Sequence, residues 1–409
     1  MYLDDVVAAQ KRGEARGIAS ICSAHPRVLE QALRTFGHPL IEATCNQVNQ
    51  FGGYTGMTPQ DFADFVRRIA AQHQIQYENI LLGGDHLGPH VWRNEVARAA
   101  MAKARTMVAA YVEAGFTKLH LDCSMRLAGD PERALEKEVA AGRAAELAKV
   151  AEQSGDSRLR YVIGTEVPRP GGATLDEKST HVTSVDDARE TIEIHRRAFH
   201  DLGLHAAWER VVAVVVQPGV EFGDDSVMRY APQAAHDLSA YIEEQPMVYE
   251  AHSTDYQEQE ALKNLVRDHF AILKVGPALT FAYREAMFAL AMLEDAWLPA
   301  EECSNLLQVM DTTMVAQPGY WSEYYAGTEQ EQAFKRKFSL SDRARYYWCQ
   351  PEVQHAVERL MQNLGTQVLP YSLSGQFLGE TGLSAEQAIG LRITKVLRQY
   401  AAACEQSKS

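Results

Sequence analysis

The feature that most constrains this chain is a regular alternation of short apolar segments with longer helical patterns. Each segment is rich in Val, Ile or Leu and is bounded by Gly, Pro or polar residues. Such runs are typical of strands that are covered on both faces of a parallel sheet. The clearest one, at 211–216, is almost pure valine. We predict eight strands, at 17–24, 39–44, 80–82, 116–124, 161–167, 211–216, 247–252 and 271–276.

Eight strand–helix units over roughly 280 residues predict a (β/α)8 TIM barrel, an α/β fold that typically takes about 250 residues. The alternative is a doubly wound open sheet, but no G-x-G-x-x-G follows the first strand. We assign residues 1–298 to the barrel. The alternation then stops, and residues 299–409 read as a C-terminal helical extension packed on the barrel or on another subunit. Helices are expected there at 301–315, 331–337, 340–348, 351–363 and 385–403.

Charge and composition exclude several classes of partner. The chain has 409 residues, with 40 basic and 54 acidic side chains and a net charge of −14. Non-specific binding to nucleic acid or anionic membranes needs a basic surface. No apolar run approaches the ~20 residues of a membrane span, and the N-terminus lacks a signal-peptide pattern. The six scattered cysteines predict reduced thiols. We therefore expect a cytoplasmic protein that binds a small molecule.

The segment at 80–89 leads from a buried strand through glycines to an Asp85-His86 pair. In a barrel, residues at the carboxyl ends of the strands face one shared pocket. A carboxylate beside an imidazole can act as a base and a metal ligand. The same pair can also be a helix cap beside a surface histidine, so both interpretations stay open for the pair alone.

Several strand ends carry polar side chains that would meet in that pocket. They are Glu42, Asn46, Asp85, His86, Asp122, Glu166, Gln217, Glu250, His252 and Lys274. Histidines and acids on different strands suit a catalytic Zn²⁺ or a similar divalent ion. No local motif such as H-E-x-x-H occurs, so this metal prediction depends on the fold. We assign His120 to a structural, hydrogen-bonded role.

A phosphate site is expected where the loops after strands seven and eight meet a helix N-terminus. Ser253, Thr254, Gly276 and Ala278 could offer hydroxyls or amides there, and Arg284 could offer a charge. No P-loop G-x-x-x-x-G-K-[ST] occurs, which argues against a nucleotide kinase.

Eight long stretches of the chain together carry a family resemblance. They are IEATCNQVNQFGGYTGMTP (41–59), LLGGDHLGP (81–89), KLHLDCSM (118–125), YVIGTEVPRPGG (161–172), QPGVEF (217–222), MVYEAHSTDYQ (247–257), VRDHFAILKVGPALTFAYREA (266–286) and SLSDRARYYW (339–348). The chain resembles, end to end, the Z-subunit family of tagatose-1,6-bisphosphate aldolase (GatZ/KbaZ). The resemblance implies a TIM barrel related to class II sugar-phosphate aldolases. In that family the Z-subunit is described as a non-catalytic support of a catalytic partner, while other members are fructose/tagatose 4-epimerases.

The resemblance also implies roles for individual residues. Asp85 would do proton work, and His86 and His252 would bind the metal, with zinc expected first and Mn, Co, Ni or Mg as alternatives. The sixth strand ends in Gln217 where the aldolases carry another histidine. Glu166 or another acid would then complete the metal sphere.

The expected function is metal-dependent C4 epimerisation of fructose, tagatose or their 6-phosphates by retro-aldol and aldol steps. The catalytic carboxylates would come from Asp85, Asp122 and Glu166. Substrate contacts are expected from Glu42, Asn46, Gln217, Lys274, Ser253, Thr254, Gly276 and Arg284. The alternative is a non-catalytic accessory subunit of a class II aldolase, and a third reading is an aldolase in its own right. The chain would form a homo-oligomer or pair with that aldolase.

Overall fold

The computed structural model describes residues 1–132, 135–165 and 182–405 and confirms the (β/α)8 barrel. Eight parallel strands close into a barrel, and each strand pairs with its neighbours in chain order, β1 with β8 last. The strands are β1 (Ile18–Cys22), β2 (Leu40–Thr44), β3 (Leu81–Leu87), β4 (Lys118–Leu121), β5 (Arg160–Ile163), β6 (Val211–Val216), β7 (Val248–Ala251) and β8 (Phe270–Val275).

Helices surround the barrel and continue into the C-terminal extension. Those of the barrel are α1 (Tyr2–Lys11), α2 (Pro26–Thr35), α3 (Pro59–Gln72), α4 (Ala97–Glu113), α5 (Lys137–Ser154), α6 (Val185–Asp201), α7 (His205–Trp208), α8 (His236–Glu243), α9 (Gln259–Arg267) and α10 (Pro277–Trp297). Those of the extension are α11 (Leu306–Ala316), α12 (Glu329–Phe338), α13 (Pro351–Leu364), α14 (Tyr371–Leu378) and α15 (Ala385–Ala403). In the part of the chain so described, no helix is both long and apolar enough to cross a membrane.

The apolar core has two layers because barrel strands alternate between the interior and the helices. The outer layer packs the strands against the surrounding helices. A smaller inner cluster fills the barrel around Ile18, Leu40 and Ile272. Leu3 and Val6 of α1 join this inner cluster and close the amino-terminal end of the barrel. The opposite end therefore remains the open mouth for a site.

Three local predictions differ from the structure. Strand β3 continues to Leu87, so Asp85 and His86 lie inside the strand. The helix expected at 340–348 is only a 3₁₀ turn, Arg343–Tyr346. Asp342, within the expected helix, has a left-handed backbone with φ 45°, which a regular α-helix does not allow. The structure also adds α14 and a two-stranded ribbon, Glu221–Phe222 with Val227–Met228.

The extension packs on the barrel of its own chain. Helix α15 lies against α2, α9 and α10. Its Tyr400 hydroxyl donates a hydrogen bond of 2.7 Å to the Thr254 carbonyl, at the carboxyl end of β7. The extension is therefore joined to the face of the barrel that carries the strand ends.

Ionic side chains cross the barrel interior above the inner apolar cluster. Lys118 of β4 is fully buried, and its Nζ lies 2.5 Å from Glu42 Oε1 on β2 and 2.5 Å from Glu250 Oε2 on β7. The ammonium and the two carboxylate oxygens do not meet the geometry of a hydrogen bond, so these contacts are ion pairs. Lys274 of β8 contacts the same two glutamates and lies 2.6 Å from Asp85 Oδ1. Buried charges persist only when paired in this way.

Replacing Lys118 with Met keeps much of its volume but leaves the two buried glutamates without their shared cation. We expect the free energy of unfolding to fall by about 3 to 5 kcal/mol, the usual cost of breaking a buried ion pair. Urea unfolding of Lys118→Met measures it. The exposed Lys149→Ala is the matched control and should stay within about 0.5 kcal/mol of the parent. A loss below about 1 kcal/mol in Lys118→Met would contradict the network's structural role.

Candidate functional site

The end of β3 has an unusual backbone that places two functional side chains side by side. His86 has φ 48°, in the left-handed region that non-glycine residues rarely adopt. Gly88 follows, and a Cβ there would lie 1.7 Å from the Asp122 carbonyl oxygen. Only glycine therefore allows the β3 loop to pass this close to the end of β4. Strained backbone of this kind concentrates at functional sites.

Three imidazoles form a triangle at the mouth of the barrel. The ring centroids of His86 and His120 are 5.0 Å apart, those of His86 and His252 are 5.0 Å apart, and those of His120 and His252 are 5.1 Å apart. Ligand atoms of Asp85, His120, Glu250 and His252 all lie within 4.8 Å of one another. This is a spacing in which one ion can contact several of these groups.

Each imidazole is held by its own carboxylate. His86 Nδ1 lies 2.9 Å from Asp122 Oδ2, and His252 Nε2 lies 2.9 Å from Glu250 Oε1. Carboxylates that hold one ring nitrogen orient the other toward a metal.

The third imidazole, that of His120, follows the same pattern. His120 Nδ1 lies 3.0 Å from Asp85 Oδ1 and 3.2 Å from the His86 amide nitrogen. The His86 amide N–H donates to this Nδ1, which is therefore an acceptor in that bond. Among the described residues, His120 Nε2 is buried without a hydrogen-bond partner.

The charges of the cluster leave room for a divalent cation. Within the described residues, four buried carboxylates, those of Glu42, Asp85, Asp122 and Glu250, are grouped with two ammonium groups, those of Lys118 and Lys274. With three neutral imidazoles the cluster carries two excess negative charges, and a protonated His86, whose pKa is raised, would leave one. Excess charge of this kind is costly in a buried setting. The orphaned nitrogen of His120 and this charge deficit both fit a divalent ion bound among the imidazoles.

The pKa values follow from the same charges. Burial raises the pKa of Asp85, but His86 and Lys274 outweigh burial and hold the pKa well below its usual value. Burial lowers the pKa of His86, but Asp85 and Asp122 outweigh burial and raise it. For His252 burial dominates and lowers the pKa to about 3. His252 is thus neutral at neutral pH, the form that binds a metal.

The structure brings several of the predicted residues to one pocket. This pocket, the inner pocket, has an empty volume of about 600 Å³. Its lining includes Asn46, Asp85, His86, His252, Ser253, Lys274 and Gly276. Asp122 and Glu42 are not among the lining residues. Asp122 lies behind His86 with Oδ1 bonded to Ser124, and Glu42 is engaged by the two lysines, so both act as positioning residues.

Other predicted residues lie elsewhere. Thr254 directs its hydroxyl to the Lys274 carbonyl at 2.6 Å. Gln217 does not line the inner pocket, and its amide oxygen is buried without a partner. Arg284, expected to meet a phosphate, is buried against the extension, where its Nε lies 3.0 Å from Asp342. The prediction for Glu166 lies outside the described residues.

The phosphate site expected at the N-terminus of α10 is taken by the chain's own Asp255. Its Oδ1 accepts hydrogen bonds from the amides of Gly276 at 3.0 Å and Ala278 at 2.8 Å. The carboxylate thus satisfies the groups that would otherwise attract an anion. Burial raises the pKa of Asp255 to about 6.

Sequence reasoning missed two contributions to the site. The third imidazole comes from His120 on β4, where the resemblance had pointed to the end of β6. The alternation that places His120 and Asp122 on one side of β4 was a usable signal for it. The extension also supplies Arg345 and Tyr346 to the inner pocket, and no periodic pattern in the sequence indicated this.

The fold and the site define a TIM barrel with a buried histidine–carboxylate cluster at the carboxyl ends of its strands. A family model described as D-tagatose-1,6-bisphosphate aldolase subunit GatZ/KbaZ-like matches residues 3–405. The chain belongs to this family.

Individual relatives agree with the family assignment. D-tagatose-1,6-bisphosphate aldolase subunit GatZ of Salmonella paratyphi B is 53% identical over 384 residues, 92% of this chain and 90% of that protein. The subunit of the same name from Klebsiella pneumoniae is 51% identical over 419 residues, 98% of this chain and 99% of that protein. A crystal structure from Sinorhizobium meliloti 1021, titled a probable tagatose 6 phosphate kinase, has a TM-score of 0.87 at 47% identity. It covers 95% of this chain and 100% of its own.

The raised pKa of Asp255 predicts a pH-dependent contribution to stability. Because the folded pKa of about 6 lies above the ordinary aspartate value of 3.8, the folded state binds the proton more tightly, and stability from this group falls as pH rises through 6. Asp255→Asn keeps an acceptor but removes the titration. When the pH is lowered from 7.5 to 5, the free energy of unfolding of the parent should rise by about 1 kcal/mol relative to that of Asp255→Asn.

Urea unfolding of both proteins at the two pH values measures the difference. The exposed Asp225→Asn should show no such pH-dependent difference from the parent. Parallel pH profiles for Asp255→Asn and the parent would contradict the assignment.

Proposed function

We propose that this chain acts as a subunit of a tagatose-1,6-bisphosphate aldolase. The supporting observation is its similarity, over nearly the whole chain, to relatives that carry this name. The accessory-subunit alternative of the sequence analysis is therefore the better supported of the two readings. A subunit of this kind would form a stable complex with a catalytic class II aldolase chain.

The site geometry favours a second candidate, a catalytic role in metal-dependent C4 epimerisation of a ketohexose or its 6-phosphate. The observation behind it is the triangle of imidazoles, each oriented by a carboxylate. A purely structural barrel has no need of a buried cluster with an orphaned ring nitrogen. A divalent ion held by His86, His120 and His252 would supply Lewis acidity to the oxygens of a bound sugar.

The contacts favour Asp85 over Asp122 as the base. Asp85 lines the inner pocket, and its Oδ2 lies 3.7 Å from His86 Nε2, beyond hydrogen-bond distance. Asp122 has both oxygens engaged, by His86 and by Ser124. In the proposed reaction Asp85 accepts the proton of the C4 hydroxyl as the C3–C4 bond breaks. The electron pair goes to C3 and gives an enediolate, and C4 becomes an aldehyde that rotates and is attacked on its other face.

After C3 attacks the aldehyde again, Asp85 would return the proton to the C4 oxygen, and the other groups around the inner pocket would hold the fragments. Burial lowers the pKa of Lys274, but Asp85, Glu42 and Glu250 outweigh burial and raise it. Lys274 faces the inner pocket and holds Asp85 and Glu42 in place through ion pairs. Asn46 and Ser253 offer polar contacts to the sugar hydroxyls.

Metal binding can be tested apart from activity. We expect the dialysed protein to retain about one divalent ion per chain, measured by atomic emission. Removal of that ion with a chelator should lower the melting temperature, and adding the ion back should restore it. His120→Ala should lose the ion, since it removes a ligand. Asp122→Asn should weaken the affinity by roughly 10- to 100-fold, the usual effect of an outer partner. Exposed His355→Ala is the control, and equal metal content in His120→Ala and the control would refute the site.

One experiment separates the two candidate functions. Purified protein is incubated with fructose 6-phosphate, with and without chelator, and the products are identified by NMR. Chelator-sensitive tagatose 6-phosphate, absent with Asp85→Asn and His252→Ala, supports the epimerase. Absence of conversion together with co-purification and activation of a class II aldolase supports the subunit. Conversion unchanged in His252→Ala would rule out the proposed site.

A further inference from the structure

A wider chamber opens directly beyond the inner pocket. The two cavities share lining residues: Cys22, Gln47, Tyr54, Gly276, Pro277 and Arg345. The outer chamber has an empty volume of about 1340 Å³. Arg345 thus lies where the inner pocket, which His86 and His252 also line, meets the outer chamber.

The extension forms one wall of this chamber. Arg345 lies in the 3₁₀ turn Arg343–Tyr346, and Trp348 and Val357 follow on the same wall. Tyr54 and Tyr283 of the barrel line the same chamber, and the rings of Tyr283 and Trp348 pack with their centroids 4.9 Å apart. Aromatic and apolar surfaces with a few charged groups are typical of small-molecule sites.

The cations of the two cavities differ in how their charges are balanced. Lys274 is paired with Glu42 and Asp85. Arg27 is paired with Glu30 at 3.3 Å and Glu386 at 2.5 Å. Both charges are thus already neutralised by carboxylates.

Arg345 is bonded to neutral oxygens alone within the described part of the chain. Its Nη1 donates to the carbonyls of Ser341 and, at 3.1 Å, Asp342, and its Nη2 donates to the Tyr346 hydroxyl at 3.0 Å. These bonds fix the guanidinium in place. Asp342 and Asp255 interact with its charge, but neither carboxylate forms an ion pair with it among the described residues. His25 of the outer chamber is no competitor, because burial and Arg27 lower its pKa to about 3 and leave it neutral.

The backbone amides at the N-terminus of α10, the other anion-binding feature at the mouth of the barrel, are already hydrogen-bonded. Asp255 accepts the amides at the N-terminus of α10. A phosphate placed there would meet a carboxylate in its position. Arg345 is therefore the positive group of these two cavities that is left to meet an anionic ligand.

We propose that Arg345 binds a phosphate ester on the end of the sugar substrate that lies farthest from the three imidazoles. This rests on the sugar site proposed above and deepens it: the extension, through Arg345, selects phosphorylated over plain ketohexoses. Arg345 would be a specificity-determining residue supplied by the part of the chain outside the barrel.

The test uses full-length protein and compares Arg345→Gln with the parent. Calorimetry measures the affinity for fructose 6-phosphate and for fructose. We expect the variant to bind fructose 6-phosphate about 10- to 100-fold more weakly, the loss expected for charge-assisted hydrogen bonds to phosphate, with fructose binding unchanged. Arg345→Lys should retain part of the affinity, since lysine keeps the charge but loses the planar fork. Arg27→Gln is the matched control and should bind fructose 6-phosphate like the parent.

Inorganic phosphate gives an arm that does not depend on sugar chemistry. Phosphate should raise the melting temperature of the parent and of Arg27→Gln but not of Arg345→Gln, and circular dichroism confirms that each variant folds. If the parent responds in this way yet converts no sugar, the proposed epimerase activity fails and the Arg345 site stands. The proposal is overturned if phosphate does not raise the melting temperature of the parent, or if it raises that of Arg345→Gln equally. It is likewise overturned if the rise is lost in Arg27→Gln and kept in Arg345→Gln. It is also overturned if Arg345→Gln weakens both sugars to the same extent.

Discussion

The arrangement of the site depends on the buried ion network that links β2, β4, β7 and β8. Lys118 and Lys274 hold the carboxylates of Glu42 and Glu250 within the barrel, where aliphatic side chains are more usual. Glu250 in turn holds His252, and Lys274 holds Asp85. The positions of His252 and Asp85, which line the inner pocket, are therefore set by the charges of Glu250 and Lys274.

This network also explains why the cluster suits a cation. Two lysines are too few to balance four carboxylates, so the remaining negative charge is concentrated beside the imidazoles. Each carboxylate there serves both to orient a ring and to add to this local field. Orientation and charge thus come from the same side chains, and a substitution at one of them changes both.

The sequence indicated the fold more fully than the site. Short apolar runs with helices between them predicted all eight strands, since a parallel barrel buries its strands on both faces. The ends of those strands pointed to Asp85, His86 and His252. The partners of Lys118 were not predictable, because they lie on strands distant along the chain and become neighbours only when the barrel closes. Arg345 was missed because it lies in a single 3₁₀ turn of the extension, where no periodicity records which surface it faces. Arg284 was misplaced for the same reason: its partner Asp342 lies in that extension.

The bond between Tyr400 and the Thr254 carbonyl carries the last helix to the loop that follows His252. Helix α15 is thus a mechanical support for the mouth of the barrel. A truncation within this helix would loosen that support and alter ligand affinity without touching any residue of the cavities.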